Sequence, residues 1–531
     1  MEKNTSNFQR YLKQFIKLLF GLVECFVHWL FSKIYRKDES KLPPIEDFIL
    51  MDSASTLAMK IRTGKLTSEK VLESFIDRIK QVNPIINSVV ATRFDEARKE
   101  AKSADEIIRT GLIPLEKLEK EKPFLGVPFT TKDCIPIKDL IHSSGLVHRR
   151  NNISEEDAKV VASLRNAGAI PLGLTNVSEL CMWWESSNNV HGRSRNPYDF
   201  SRIVGGSSGG EGSCQAAALS AFGIGSDIGG SIRMPSFFNG VFGHKPSPLT
   251  VPNHGQYPQP ITEEQNIFLG IGPMCRRAED LTPILKVIAN KSHLEMMRLD
   301  EPVDIQKVRF FYQESDTDSF LVSPVAQEIK DLFPKICIYL NKAHGIKASK
   351  VSFKSFGKSA PLWFANMKAP SGPKFKDQLA NLDGTINPYV ELLKWTLGMS
   401  QHTFVALATC LADKTGCKYG DSDHQKLVSM RNDLKNDILD LIGDDGVFIY
   451  PTHPTSAPYH NEPIFKPFNF SYTGIMNILG VPATHIPMGL DKNGLPIGVQ
   501  VIAKPNNDRL CLAVAREFEK AFGGWEPPST V

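Results

Sequence analysis

Twice in this chain a helical pattern, a turn and a short buried-looking run follow one another. Residues 154–166 close at Gly168 and lead into the apolar run 169–174; residues 430–442 lead into 447–450. Short apolar runs between turn signals read as strands buried on both faces, and such strands need helices packed over a sheet. This alternation predicts an α/β core with a central sheet. Residues 71–82 carry apolar side chains at helical spacing, with the helix expected to end at Asn83-Pro84, and 127–131 read as a strand with Lys132 at its end. No repeat of 20–50 residues and no long low-complexity linker divides the chain.

The 531 residues exceed the usual size of one hydrophobic core, yet 41% hydrophobic and 23% charged residues are ordinary for a folded protein. A net charge of +4 over this length gives no concentrated basic face, so nucleic acid is not an expected partner. Nine scattered cysteines form no CxxC pair, and neither HExxH nor an EF-hand spacing occurs. Free thiols, no metal and no cofactor are the expectation.

Residues 15–31, FIKLLFGLVECFVHWLF, are apolar but interrupted. Lys13, Lys17, Gly21, Glu24, His28 and Ser32 recur at steps of three and four, which lines them along one stripe of a helix. Three arrangements are open. A spanning helix turns the stripe toward a partner or a second copy, which would make a homodimer. A monotopic helix lies in the membrane interface with the stripe facing water. A soluble helix covers a groove on the rest of the protein. No small-residue cleavage site follows; Lys33 to Lys37 is basic and bulky, which disfavours a signal peptide. The expected division is residues 1–40 as a membrane-associating helix, at an intracellular membrane, and 41–531 as one catalytic domain.

Residues 205–210 read GGSSGG and 229–233 read GGSIR. Gly223 to Gly229 approaches a dinucleotide fingerprint, but its last spacing is one residue too long and a helix, not a strand, precedes it; a P-loop would need GK[ST], which is absent. Gly205 to Gly209 matches GxSxG, but the preceding NPYDFSRIV is loop-like and no histidine follows in a recognisable triad context. The third reading uses both serines with Lys132. A lone lysine at a strand end is ordinarily a solvated charge.

Together GVPFTTKD (126–133), GGSSGGEG and GSDIGGSIRMPS resemble the amidase signature family, and within it the membrane-associated fatty-acid amide hydrolases. The likeness runs from about residue 45 to 525 and includes ELCMWWESSN, FFNGVFGHKPS, PFNFSYTG and GLPIGVQVIA. It implies the amidase-signature fold, a mixed central β-sheet covered by α-helices, here with an added N-terminal hydrophobic helix. It also implies a Lys–Ser–Ser triad: Ser231 as nucleophile, Ser207 as bridging serine after a cis Gly206–Ser207 bond, and Lys132 as base. A serine hydroxyl needs a neighbouring base, and lysine serves only when neutral, so burial must bring its pKa down from about 10.4. Ile228, Gly229, Gly230 and Ser231 are expected to offer backbone N–H groups to the oxyanion, each such donor typically contributing ~2.7–4 kcal/mol to barrier lowering. Glycines at 229 and 230 are expected to leave room for the substrate carbonyl.

Asp227 and Arg233 are expected as a supporting ion pair, Ser208 as a bond within its own loop, and Glu211 as a helix cap. Gln215 stands where the family more often has an apolar residue, a departure that should touch packing. Met182 and Trp183 resemble the segment beside the family's acyl channel, with ordinary core as the alternative. The implied substrate is a lipid amide: an N-acylethanolamine or a primary fatty amide. Rival readings are a soluble amidase or glutamine amidotransferase subunit of the same superfamily, against which the hydrophobic N-terminus argues, and a catalytically silent membrane scaffold.

Overall fold

The computed structural model describes residues 2–35, 40–316, 319, 322–413 and 416–531, and of residues 2–14, 16 and 17 the backbone alone. The strands, in chain order, are β1 (Val89–Thr92), β2 (Pro128–Lys132), β3 (Ile170–Thr175), β4 (Ser187–Asn188), β5 (Gly192–Arg193), β6 (Phe222–Asp227), β7 (Phe242–Lys245), β8 (Gly270–Cys275), β9 (Arg309–Tyr312), β10 (Ser349–Lys350), β11 (Gly446–Pro451), β12 (Ala483–Leu490) and β13 (Pro496–Ile502). β4 and β5 pair alone. The other eleven form one sheet in the order β1-β3-β2-β6-β8-β7-β12-β13-β11-β9-β10. β3, β2 and β6 run parallel, as do β11, β9 and β10, and the remaining pairs are antiparallel. The sheet is therefore mixed, and helices cover it. Every residue of β2, β3, β6 and β11 is buried, which is why these strands read as runs without alternation.

Element ends shift from their expected places for local reasons. The helix Ser68–Ile86 starts where the Thr67 side chain accepts the Lys70 N–H, and it continues through Pro84. Its exit is set by Asn83, whose Oδ1 accepts the N–H groups of Ser88 and Val89, both at 2.8 Å, and by Asn87 in the left-handed region at φ 49°. The helix expected from 154 begins only at Lys159, because 154–158 bond to the turns that follow β2: Ser154 N–H to Leu140 C=O and Ala158 N–H to Pro136 C=O. The helix before β11 is longer than its apolar pattern, Ser422–Ile442, and Asp421 caps it by accepting the His424 N–H at 2.7 Å.

The N-terminal helix α1 spans Glu2–Ile34. Two residues of its polar stripe, Glu24 and His28, meet the body of the molecule. Glu24 is 8% exposed and accepts a hydrogen bond from Ser323 Oγ. His28 Nδ1 lies 3.1 Å from Glu462 Oε1, and beyond the helix Tyr35 Oη accepts from Asn461 Nδ2 at 2.6 Å. The side chains of Lys13 and Lys17, and all of Arg36 and Lys37, lie outside the described residues. Phe15, Leu18, Leu22, Phe26, Trp29 and Ile34 are each more than half exposed. The helix thus docks by Glu24, Val27, His28 and Phe31 and leaves most of its other apolar side chains exposed. The spanning arrangement has no support: among the described residues, no helix is long and apolar enough to cross a membrane.

Candidate active site

Lys132 closes β2 and is 1% exposed. Its Nζ donates to Ser207 Oγ at 2.7 Å, Ser226 Oγ at 3.0 Å and Ser226 C=O at 3.4 Å. These acceptors match the three donors of an ammonium, and all are uncharged. β2 and β6 are parallel neighbours, so Lys132 and Ser226 meet at the carboxyl edge of the sheet, the usual place for ligands in open α/β sheets.

The Gly206–Ser207 peptide bond is cis, as the family resemblance implied. A Cβ on Gly206 would stand 2.4 Å from the Trp183 carbonyl oxygen, so glycine is required by the close approach of that segment. Ser208 N–H donates to Ser231 C=O at 3.2 Å, which sets the second glycine–serine stretch against the first. The Ser208 hydroxyl bonds outside its own loop, donating to Ser226 C=O at 3.3 Å and accepting the Ser226 N–H at 3.4 Å.

Ser231 is 8% exposed. Around it the carbonyls are pinned: Trp363 Nε1 donates to Ile228 C=O at 2.9 Å, and Thr473 Oγ1 to Gly229 C=O at 2.8 Å. A trans peptide sets C=O and N–H on opposite sides, so fixing the Ile228 carbonyl turns the Gly229 N–H away from Trp363. The amides of Ile228, Gly229 and Ser231 make no hydrogen bond among the described residues. Gly230 departs from expectation, because its N–H is donated to Asp227 Oδ1 at 2.7 Å. Its glycine is needed for another reason than substrate room: φ is +116°, and a Cβ would lie 1.9 Å from Thr473 Oγ1.

Asp227 and Arg233 form a fully buried pair, with Nε to Oδ2 and Nη2 to Oδ1 both at 3.0 Å. Burial pushes the Asp227 carboxyl up, but the Arg233 guanidinium and the Asn477 amide outweigh it and hold it well below the usual carboxylate range. Arg233 also donates to Gln500 Oε1 at 2.8 Å and Asn477 Oδ1 at 2.7 Å. Asp227 Oδ2 receives the Ile232 N–H at 3.1 Å, so the ion pair frames the turn that carries Ser231.

Glu211 does not cap its helix, Gly209–Ala216. Its carboxylate turns into the sheet, accepting from Thr130 Oγ1 of β2 at 2.6 Å, Gln215 Nε2 at 2.8 Å and Thr175 Oγ1 of β3 at 2.9 Å. It sits over Gly223 of β6, where a Cβ would meet Oε1 at 1.7 Å. Gln215, the departure from the family pattern, is thus a polar partner of this buried acid. Burial pushes the Glu211 carboxyl from 4.5 up to about 7 despite its three donors. A carboxyl raised on folding stabilises most below its unfolded value, and that contribution is lost as pH climbs from 4.5 through about 7. Glu211→Gln should therefore lose less stability than wild type between pH 5 and 8, by up to about 3 kcal/mol. Chemical denaturation at the two pH values checks this; parallel loss in both proteins contradicts it.

Met182 and Trp183 are half-buried. They follow Leu180 and Cys181, consecutive residues at φ 50° and 58°, and Ser178 bonds both the N–H and the C=O of Trp183. Ser226, Trp363, Phe470, Thr473 and Asn477 went unread in the sequence. Ser226 is signalled only by its position one residue before Asp227. Trp363 and Phe470, whose rings meet edge-on at 5.0 Å, lie beside Gly229; Trp363 comes from a segment without a fixed motif, and Phe470 from PFNFSYTG, where no role was assigned to it.

A buried lysine bonded to a serine hydroxyl, and a neighbouring turn at Ser231 whose Ile228, Gly229 and Ser231 amides are unpaired among the described residues, make a candidate hydrolytic centre on the mixed sheet. The amidase family model matches residues 70–512, so the chain belongs to the amidase family and is an amide hydrolase. Fatty-acid amide hydrolase 2 of Homo sapiens is 47% identical over 93% of this chain and 93% of that protein. Fatty-acid amide hydrolase 2-A of Danio rerio is 43% identical over 98% of each. A solved structure named fatty acid amide hydrolase superposes with a TM-score of 0.71 at 23% identity, covering 91% of this chain and 87% of that one, which shows a shared fold.

Proposed function

We propose that this chain hydrolyses fatty acyl amides, N-acylethanolamines or primary fatty amides, to fatty acid and amine through an acyl-enzyme on Ser231. The observation that carries it is the 2.7 Å contact from Lys132 Nζ to Ser207 Oγ, together with the backbone bond that sets Ser207's loop against Ser231. Ser231 Oγ attacks the amide carbon as its proton passes to Ser207, whose own proton passes to Lys132. The N–H groups of Ile228, Gly229 and Ser231 receive the oxyanion. The proton returns through Ser207 to the leaving nitrogen, the C–N bond breaks, and water then cleaves the acyl ester by the same relay.

A long acyl chain fits the aromatic company of the site: the Trp363 and Phe470 rings lie beside Gly229, and the Trp183 backbone approaches Gly206; relatives named for fatty-acid amides support it. The bare apolar face of α1 fits a membrane surface, with residues 1–40 lying on an intracellular membrane and 41–531 carrying the chemistry. The full chain should float with phospholipid vesicles, and should hydrolyse oleamide and N-oleoylethanolamine but not glutamine. Preference for glutamine would overturn the substrate reading, and failure to float would overturn the membrane reading.

A further inference from the structure

The α1 helix and the loop that carries Ser207 both hold one piece of chain, the turn at 459–462. From one direction α1 grips it. His28 Nδ1 lies 3.1 Å from Glu462 Oε1, the Tyr35 hydroxyl accepts from Asn461 Nδ2 at 2.6 Å, and the Tyr35 ring stacks on Tyr459 and meets His460 edge-on. The same turn holds Glu185, which is 4% exposed. Glu185 Oε2 accepts the Asn461 N–H at 2.9 Å, and Oε1 lies 3.0 Å from His460 Nδ1. Asn461 thus serves α1 with its side chain and Glu185 with its backbone.

Glu185 leads into Ser186, which is fully buried. The Ser186 N–H donates to Gly205 C=O at 3.0 Å. Its hydroxyl hydrogen is shared between Gly205 C=O at 3.0 Å and Ser207 C=O at 3.3 Å, and its oxygen accepts the Gly209 N–H at 3.0 Å. One side chain therefore clamps the loop on both sides of Ser207. The chain entering the loop is tied to the 459–462 turn as well. Ile203 N–H donates to Pro458 C=O at 3.0 Å, His460 N–H donates to Ser201 C=O at 3.3 Å, and His460 Nε2 lies 3.0 Å from Phe200 C=O. Buried polar groups joined in this way favour one arrangement, because each bond lost leaves a desolvated partner unpaired.

We propose that Glu185 and Ser186 are positioning residues for Ser207, and that α1, through the 459–462 turn, sets their place and with it the rate of amide cleavage. The inference rests on Ser207 being the proton relay. A relay must meet Lys132 Nζ and Ser231 Oγ at once, and the Lys132 contact stands at 2.7 Å. A shift of the loop by an ångström opens that path, and misplacement on this scale costs on the order of 100-fold in rate. The loss falls on kcat and spares KM, because the aromatic rings beside Gly229, those of Trp363 and Phe470, belong to other segments. A helix that only brought the protein to lipid would act differently: weakening its grip would raise KM for a lipid amide and leave cleavage of a soluble amide unchanged.

The test uses the full-length protein in detergent with hexanamide, which dissolves in water and needs no delivery from a bilayer. Ser186→Ala is expected to lower kcat on the order of 100-fold with KM unchanged. Tyr35→Phe removes one half-buried hydroxyl and keeps the ring, so it decides the question even where Ser186→Ala does not fold. It should lower kcat about threefold to tenfold, the worth of one hydrogen bond. In the double variant the two losses should fall short of their product, as for groups acting along one path. Unchanged kcat in Tyr35→Phe, a change in KM alone, or a full product in the double variant overturns the proposal. The rate at which a fluorophosphonate labels Ser231 is read on the same samples, with Ser207→Ala alongside. Labelling of Ser207→Ala as fast as wild type sinks the relay reading itself. Slow labelling of Ser207→Ala, with Ser186→Ala and Tyr35→Phe as fast as wild type, sinks the positioning role alone.

Discussion

Ser231→Ala should reduce amide hydrolysis on the order of 10^4- to 10^6-fold, the scale seen when a covalent nucleophile is removed. The loss should lie almost wholly in kcat, because the hydroxyl forms a bond to substrate only along the reaction path. Stability should barely move. The Ser231 side chain makes no hydrogen bond among the described residues, and its backbone contact with Ser208 survives the substitution. A change within about 0.5 kcal/mol is expected for so small an edit. Labelling by a fluorophosphonate should disappear with activity. If Ser231→Ala labels as strongly as wild type, another residue is the nucleophile.

Lys132→Ala should cost amide hydrolysis about 10^2- to 10^4-fold, the range for positioned proton transfer, and ester hydrolysis less. An amine leaves poorly without a proton, whereas an alcohol leaves more readily, so removing the proton donor falls hardest on amides. This variant also deletes a buried side chain and leaves the hydroxyls of Ser207 and Ser226 without their shared donor. Lys132→Met, which keeps volume, separates chemistry from packing. The two variants should share the amide-over-ester bias. Equal loss on both substrates would mean that the lysine merely supports the site.

The residues proposed for the chemistry were legible because each lies in a short stretch with fixed internal spacing. Lys132 ends a strand, Ser207 and Ser231 each follow a glycine pair, and Asp227 and Arg233 bracket Ser231 within seven residues. Their supports were not legible, because the sheet order is not the chain order. β6 lies between β2 and β8, and β12 packs beside β7, so Ser226, Asn477 and Gln500 converge from segments far apart in sequence. Spacing also says nothing about competition for a donor, as with the Gly230 N–H taken by Asp227. Glu211 looked like a cap from its place in the first helical turn, but Thr130 and Thr175 offer hydroxyls and Gly223 leaves a hollow on the opposite side. For α1, periodicity defines a stripe and its opposite face; partners distant in sequence, among them Ser323 and Glu462, decide which of them is covered.

The central claim is that hydrolysis passes through an ester on Ser231. The direct measurement is acid quenching of the full-length protein during turnover of a long-chain substrate, followed by intact mass and peptide mapping. The account predicts a mass gain of one acyl group, located on Ser231, that is absent from Ser231→Ala. An acyl group on Ser207, on Cys134 or on Cys181, or turnover with no acylated protein at any time, would contradict it.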